Sequence, residues 1–330
     1  MDPRHRFRLG TILLAGIAIA GCSTAQAPSG PPGSASAAAG ASARPLTEES
    51  AGAPGPTGGI LWDDFSYASA SDMTANGWIL RTKSGWPGVK GATFDSSSIR
   101  VVDDPLRSGN RLLQISASTD GTTTRQSQVC QQRRYLSGTY AARVYFTDVP
   151  TAGADGDQVV ESFYLISPYL KAFDPDYSEV DNEYLPNGGW GGPNEALYVT
   201  TWHTVRIEPW SADNASQMTR GSLQGWHTLV MQLRSPETRY FLDGNPIATH
   251  GERYYPRVPM SIDFNLWMID GGLTATGRRV YDEQVDWAYH QAGAVLSPAQ
   301  VDATIQRLRA SGSAFEDTVP PSGLDSPCDL

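Results

Sequence analysis

Residues 176–186 read Asp176-Tyr177-Ser178-Glu179-Val180-Asp181-Asn182-Glu183-Tyr184-Leu185-Pro186. The run is β-like, and successive side chains of a strand alternate between its two faces. Glu179, Asp181 and Glu183 therefore share one face. Three carboxylates in a row repel one another, so a fold keeps them where a cation, hydrogen-bond partners or chemistry compensates. The repulsion raises at least one pKa, leaving a protonated acid beside an ionised one near neutral pH.

Outward from this run, the chain between about residues 60 and 290 is a series of short segments with turn punctuation. Residues 111–116, 138–146, 158–166, 204–208, 227–233 and 261–269 are strand-length and rich in β-branched and aromatic side chains. Gly, Pro, Asn and Asp clusters separate them. Residues 239–242 followed by Asp243-Gly244 read as a hairpin with a tight turn. Many antiparallel strands with no alternating long amphipathic helices predict an all-β sandwich of two sheets. One helix is expected, at 298–310, where Val301, Ile305 and Leu308 recur at helical spacing and Ser297 can cap the start.

The 330 residues carry 35 acidic against 25 basic side chains, a formal net charge of −10. Without a Lys/Arg cluster in its body, such a chain lacks the positive surface that nucleic-acid binding needs. The 33 Gly, 23 Pro, 9 Trp and 14 Tyr suit a loop-rich, aromatic-rich β domain rather than a helical bundle.

The N-terminus reads as an address. Arg4, Arg6 and Arg8 precede an apolar stretch at 9–20 that is too short to span a bilayer. It ends in Ile19-Ala20-Gly21-Cys22, which resembles the lipobox of bacterial lipoproteins, where the Cys is acylated and becomes the first mature residue. The other reading is an ordinary secretory signal cleaved near Ala25. Both imply export, either lipid-anchored at the outer face of the membrane through Cys22 or secreted. Residues 23–58, almost all Ala, Ser, Gly, Pro and Thr, cannot bury enough apolar surface to order themselves and read as a tether. The domain organisation expected is thus a signal at 1–22, the tether at 23–58, a β domain at 59–293 and a helix with tail at 294–330. Export puts Cys130 and Cys328 in an oxidising compartment, where one bridge can tie the tail to the body. Two free, unrelated thiols are the alternative.

The split of protonation states along the acid row matches the needs of glycoside hydrolysis. One carboxyl protonates the leaving oxygen while the other attacks the anomeric carbon or activates water. The Cα atoms of Glu179 and Glu183 lie about 13 Å apart on an extended strand. Long side chains leaning together can approach the ~5–5.5 Å carboxyl separation of a retaining enzyme. A solvated acidic face or a calcium site is the competing reading, although calcium sites draw more on loops.

Glu179-Val180-Asp181-Asn182-Glu183 resembles the Glu-x-Asp-x-Glu signature of glycoside hydrolase family 16. Further motifs follow collinearly over residues 60 to 290: 137–143 (SGTYAAR), 201–204 (TWHT), 225–228 (GWHT), 240–244 (YFLDG), Pro259-Met260, 265–267 (NLW) and 285–287 (VDW). The resemblance implies a concanavalin A-like jelly-roll sandwich and a retaining endo-acting hydrolase on β-linked glucans or galactans. It implies Glu179 as nucleophile, Glu183 as general acid/base and Asp181 as the assisting carboxylate. Three positions depart from the family pattern: Asn182 stands at an inward site that is usually apolar, Ser178 where Gly is common, and Ala141 where Glu is usual.

Sugar rings stack on aromatic faces through their apolar C–H surface. Trp190, in the Gly-rich loop 187–192, is the first candidate for a cleft wall, followed by Trp86 and Trp202. His203 and Asn265 are further substrate-binding candidates, whereas Trp226, Trp267 and Trp287 read at least equally well as core. The five His show no metal-binding spacing, and no nucleophile elbow, P-loop or dinucleotide fingerprint occurs in the domain. No cofactor is expected beyond a structural calcium of the kind many family members carry, placed near Asp63, Asp64 and Asp286. The expected partner is a polysaccharide, β-1,3- or mixed-linkage β-glucan first, and the expected state is a monomer. A transglycosylase, or a non-catalytic carbohydrate-binding protein on the same fold, is the alternative.

Overall fold

The computed structural model describes residues 58–274, 276–326 and 328. The signal at 1–22, the acylation site Cys22, and the tether up to residue 57 lie outside the described residues.

Two antiparallel sheets pack face to face. The first runs in the order β2 (Ile79–Leu80), β6 (Thr124–Cys130), β15 (Ser261–Met268), β8 (Val159–Ile166), β9 (Glu179–Leu185), β10 (Ala196–Arg206), β11 (Ser211–Arg220). The second runs β4 (Ile99–Asp103), β5 (Arg111–Thr119), β16 (Arg279–Ala292), β7 (Gly138–Phe146), β12 (Gly225–Arg234), β13 (Glu237–Leu242), β14 (Asn245–Gly251). β1 (Ile60–Asp63) pairs with β16 and with β17 (Phe315–Asp317). The start of β6 pairs with the end of β5, which joins the sheets, and β3 (Thr93–Phe94) lies parallel to β6.

The core fills the space between the sheets, with Val180 and Tyr184 of β9 meeting Phe163, Phe264, Tyr140, Val144 and Tyr281 in one buried cluster. Strand alternation explains this choice: even-numbered residues of β9 enter the core, and odd-numbered ones face the other way. Asn182 enters the core with them, and its Nδ2 donates to the carbonyl of Phe163 at 3.2 Å. Its Oδ1 has no hydrogen-bond partner among the described residues.

Helix α1 (Pro298–Ala310) spans the residues that the sequence spacing predicts. Ser297 Oγ accepts from the Gln300 N–H, and Gln300 Oε1 accepts from the Ser297 N–H at 2.8 Å. Val301 and Ile305 bury themselves against Trp62, Trp287 and Tyr289 on the outside of the second sheet. Each such burial contributes about 1.5–3 kcal/mol. Beyond the helix, the tail returns along Arg133 and Arg134 and ends in a Cys130–Cys328 disulfide that bridges 198 positions. No helix among the described residues is long and apolar enough to cross a membrane.

Of the 204–208 segment, residues 204–206 end a longer strand, β10, which begins at Ala196, and 207–208 lie in the turn that follows. Its hairpin partner β11 (SADNASQMTR) has no alternating apolar face, because it is a polar edge strand held chiefly by main-chain pairing to β10. Periodicity could not have marked it.

Candidate active site

The odd-numbered face of β9 is the floor of a cleft of about 580 Å³, lined by Glu179, Asp181 and Glu183. Register places Trp202, Thr200 and Tyr198 of β10 beside Glu179, Asp181 and Glu183. On the other flank stand Ile166, Tyr164 and Ser162 of β8. β15 sets Asp263 and Asn265 one strand further out.

Tryptophans close both ends. Trp86, Trp190 and Trp267 form one group, with ring centroids 6.3 Å (Trp86–Trp267) and 5.8 Å (Trp190–Trp267) apart. Trp202 and Trp210 form the other, edge to face at 6.0 Å. Trp190 sits in the 187–192 loop with a φ of 50° and is 66% exposed. A left-handed backbone at a bulky residue costs energy, and such strain collects at ligand sites. Gly192 lets the loop pass close to Tyr198, since a Cβ there would lie 2.4 Å from the Tyr198 hydroxyl and push it aside.

The acids are bound to their surroundings in different ways. Asp181 Oδ2 accepts from the Trp202 indole N–H at 2.5 Å, whereas its Oδ1, although buried, has no partner among the described residues. Glu179 Oε2 accepts from the Tyr177 hydroxyl. Burial pushes all three carboxyls up. Glu179 is raised by burial, with the Tyr177 bond opposing the rise and the charges of Glu183 and Asp263 adding to it. Glu183 is raised by burial as well. Asp181 is held well above the carboxylate range by burial, then by the charges of Glu179 and Glu183. The row therefore carries fewer than three charges at neutral pH and holds an acid and a base within one strand.

Of the remaining substrate-binding candidates, Trp86, Trp190 and Trp202 line the cleft, and Asn265 lies on its floor beside Ser162 and Tyr164. His203 is not among the lining residues. Its Nδ1 lies 2.6 Å from Arg257 Nη1 and 2.8 Å from the Arg253 carbonyl oxygen. Neighbours on a strand face opposite ways, so with Trp202 in the cleft His203 points away from the acids; the register of β10 then shifts between Trp202 and Thr204. That shift turns Val205 toward the cleft, which Ile207 also lines from the turn after β10.

Sequence reasoning missed Tyr177, Trp210 and the cleft position of Trp267. Tyr177 was legible, since it is two residues before Glu179 and so shares its face. Trp210 sits in the turn between β10 and the unrecognised β11. Trp226 packs against Tyr145 and Arg143, and Trp287 packs beneath α1.

The Asp63, Asp64 and Asp286 group does not fit a calcium ion, which takes six to eight oxygen ligands. Asp286 accepts from Arg143 Nη1 at 2.8 Å, Arg309 Nη2 at 2.7 Å and Asn110 Nδ2 at 2.8 Å. Guanidinium groups already supply the positive charge there. Buried Asp63 is occupied by donors from Tyr67, Trp78 and the Phe65 N–H. Among the described residues, Cys130, Asp263 and Cys328 bring potential ligand atoms within 4.8 Å of one another, but the disulfide leaves no thiolate.

The family model for glycosyl hydrolases family 16 matches residues 94–289. No curated protein matches the chain. Solved structures do. A Bacteroides ovatus family 16 endo-glucanase in complex with G4G3G-2F-DNP superposes with a TM-score of 0.55 at 16% identity, over 70% of this chain and 99% of that one. The Bacillus licheniformis β-glucanase gives 0.51 at 15%, over 71% and 99%. LamA_E269S of Zobellia galactanivorans, in complex with laminaritriose and laminaritetraose, gives 0.51 at 13%, over 71% and 99%. The shared architecture is the jelly-roll sandwich.

Proposed function

The chain belongs to glycosyl hydrolases family 16, and on that premise we propose that this glycosidase is a retaining, endo-acting hydrolase of neutral β-linked polysaccharide, a β-1,3- or mixed-linkage β-glucan. The observation that carries the reading is the acid row on the floor of a cleft walled at both ends by tryptophan. None of the described lining residues is Lys or Arg, and Asp270 adds a fourth carboxylate. Such a cleft repels sulfated or uronic chains and suits an uncharged one. From Trp267 on β15 to Trp202 on β10 the cleft crosses three strand spacings, about 14 Å, enough for several sugar rings and so for attack within a chain. The unpartnered Oδ1 atoms of Asp181 and Asn265 are acceptors for sugar hydroxyls.

In this mechanism Glu183, protonated, gives its proton to the glycosidic oxygen as the C1–O bond breaks. Glu179, ionised, forms a bond to C1 from the opposite face and becomes a glycosyl ester. Glu183, now ionised, takes a proton from water as that water attacks C1 and the ester electrons return to Glu179. Asp181, between the two on β9, adds its charge to theirs and keeps the row from ionising completely. Export and acylation at Cys22 are part of the same proposal. They rest on the leader sequence and are supported by the Cys130–Cys328 disulfide, which persists outside a reducing cytosol.

The test is reducing-end release from mixed-linkage β-glucan, laminarin, galactan and xyloglucan, with Glu179→Gln alongside. The anomeric form of the first product is read by NMR. Release of β-anomer from one neutral glucan, lost in the variant, is expected. Release of α-anomer, or full activity in Glu179→Gln, overturns the reading.

A further inference from the structure

We propose that Tyr177 is a positioning residue for catalysis, its phenol O–H holding the negative charge of the acid row on Glu179 and aiming that carboxylate at the sugar. The inference rests on the reading of Glu179 as the nucleophile.

Tyr177 stands one strand period before Glu179, faces the same cleft, and is 2% exposed. Its hydroxyl donates to Glu179 Oε2. The residue is fixed from several sides. Its N–H donates to the Asp174 carbonyl at 3.2 Å, its carbonyl accepts from Arg257 Nη2, and its ring meets Tyr169 edge-on at 5.9 Å. Arg257 also donates from its own N–H to Ser178 Oγ at 3.0 Å and from Nε to the Pro175 carbonyl at 2.6 Å. The guanidinium thus holds the carbonyls of Pro175 and Tyr177, and the main-chain N–H of Arg257 holds the next side chain, Ser178.

The row needs such a donor. Glu179 faces Asp181 and Glu183 on its own strand, Asp263 on β15, Tyr164 on β8 and Tyr240 on β13, and the charge of Arg81 acts on Tyr164 and Asp263. With no Lys or Arg among the described lining residues, a neutral hydrogen-bond donor is what favours ionised Glu179 over ionised Asp181 or Glu183. A phenol does this without neutralising the nucleophile. In the second step, charge returns to Glu179 as the C1–O bond of the ester breaks, and the phenol bond strengthens on the departing carboxylate. Tyr177 therefore serves both steps, and the second more.

Tyr177→Phe removes the hydroxyl and leaves the ring against Tyr169. With an aryl β-glycoside of the oligosaccharide that the wild type cleaves, the acid limb of kcat/KM should move up by about one pH unit. At pH 6, kcat should fall about tenfold or more, and a 2-deoxy-2-fluoro sugar trapped on Glu179 should be released several-fold more slowly. The melting temperature serves as the fold control. An unmoved acid limb and unchanged release in a folded Tyr177→Phe, beside an inactive Glu179→Gln, overturns this inference alone. Full activity in Glu179→Gln overturns the nucleophile reading, and this inference with it.

Discussion

The indole N–H of Trp202 donates to Asp181 Oδ2 at 2.5 Å, from the strand position that pairs with Glu179. One side chain of β10 thus walls the cleft with its ring and steadies the middle acid with its nitrogen. Trp202→Phe keeps most of the wall and loses the donor. We expect kcat to fall about 10- to 100-fold, as for a lost hydrogen bond to a charged or partly charged group, with a smaller change in KM. Steady-state kinetics showing the reverse split would make Trp202 a stacking residue only.

Folding stability should fall as pH rises from about 5 to 8. In the folded state Asp63 and Asp263 are pushed up to about 7, and Glu179, Asp181, Glu183, Glu161 and Glu283 are also raised, all mainly by burial. Above the ordinary carboxylate range the native state holds protons that the unfolded chain has released, so the slope of stability with pH is negative. Asp286 and Asp243, held low by their partners, oppose this only below about pH 4, and His250 and His290, lowered by burial, oppose it up to about pH 7 but are two groups against seven. Thermal unfolding across this range checks the sign, and a melting temperature that rises toward pH 8 would refute it.

Glu179→Gln should be inactive yet more stable than the wild type at pH 8. The amide cannot be forced to ionise beside Asp181 and Glu183, and relief of about 1 kcal/mol corresponds to about 2–4 °C in a domain of this size. Calorimetry at pH 5 and pH 8 should find the gain only at the higher pH.

A chelator should leave the melting temperature unchanged, and added calcium should not raise it. Arg309 lies 2.7 Å from Asp286 and also donates to Asn110, so the helix brings its own cation to that site. Arg309→Ala strands a buried carboxylate with fewer donors and should cost about 1–3 kcal/mol. A chelator-sensitive wild type would reverse this assignment.

Trp267→Ala should weaken polysaccharide binding more than Trp190→Ala. Trp267 is nearly buried and touches both Trp86 and Trp190, so its loss collapses one end of the cleft, whereas Trp190 is an exposed flap. Affinity electrophoresis in the substrate gel, run in the Glu179→Gln background, compares the two directly.

Much of this molecule follows from local pattern. Period-two alternation put Glu179, Asp181 and Glu183 on one face because strand geometry leaves no other choice. Spacing and capping marked the helix to the residue because both signals are short-range. Asp243-Gly244 turns where expected, with φ values of 48° and 80°. What needed the tertiary structure is what depends on partners far apart in sequence. The bulge in β10 is defined only against β11, and it brings Val205 to the cleft side where unbroken alternation from Trp202 would have turned it away. Trp267 belongs to the cleft because two loops, carrying Trp86 and Trp190, fold over the end of β15. Arg309 takes the place expected for calcium because a helix 23 residues beyond Asp286 packs back across the sheet. Residue types and periodicity set which face a side chain takes, but what it meets there is decided by long-range packing, which no local spacing records.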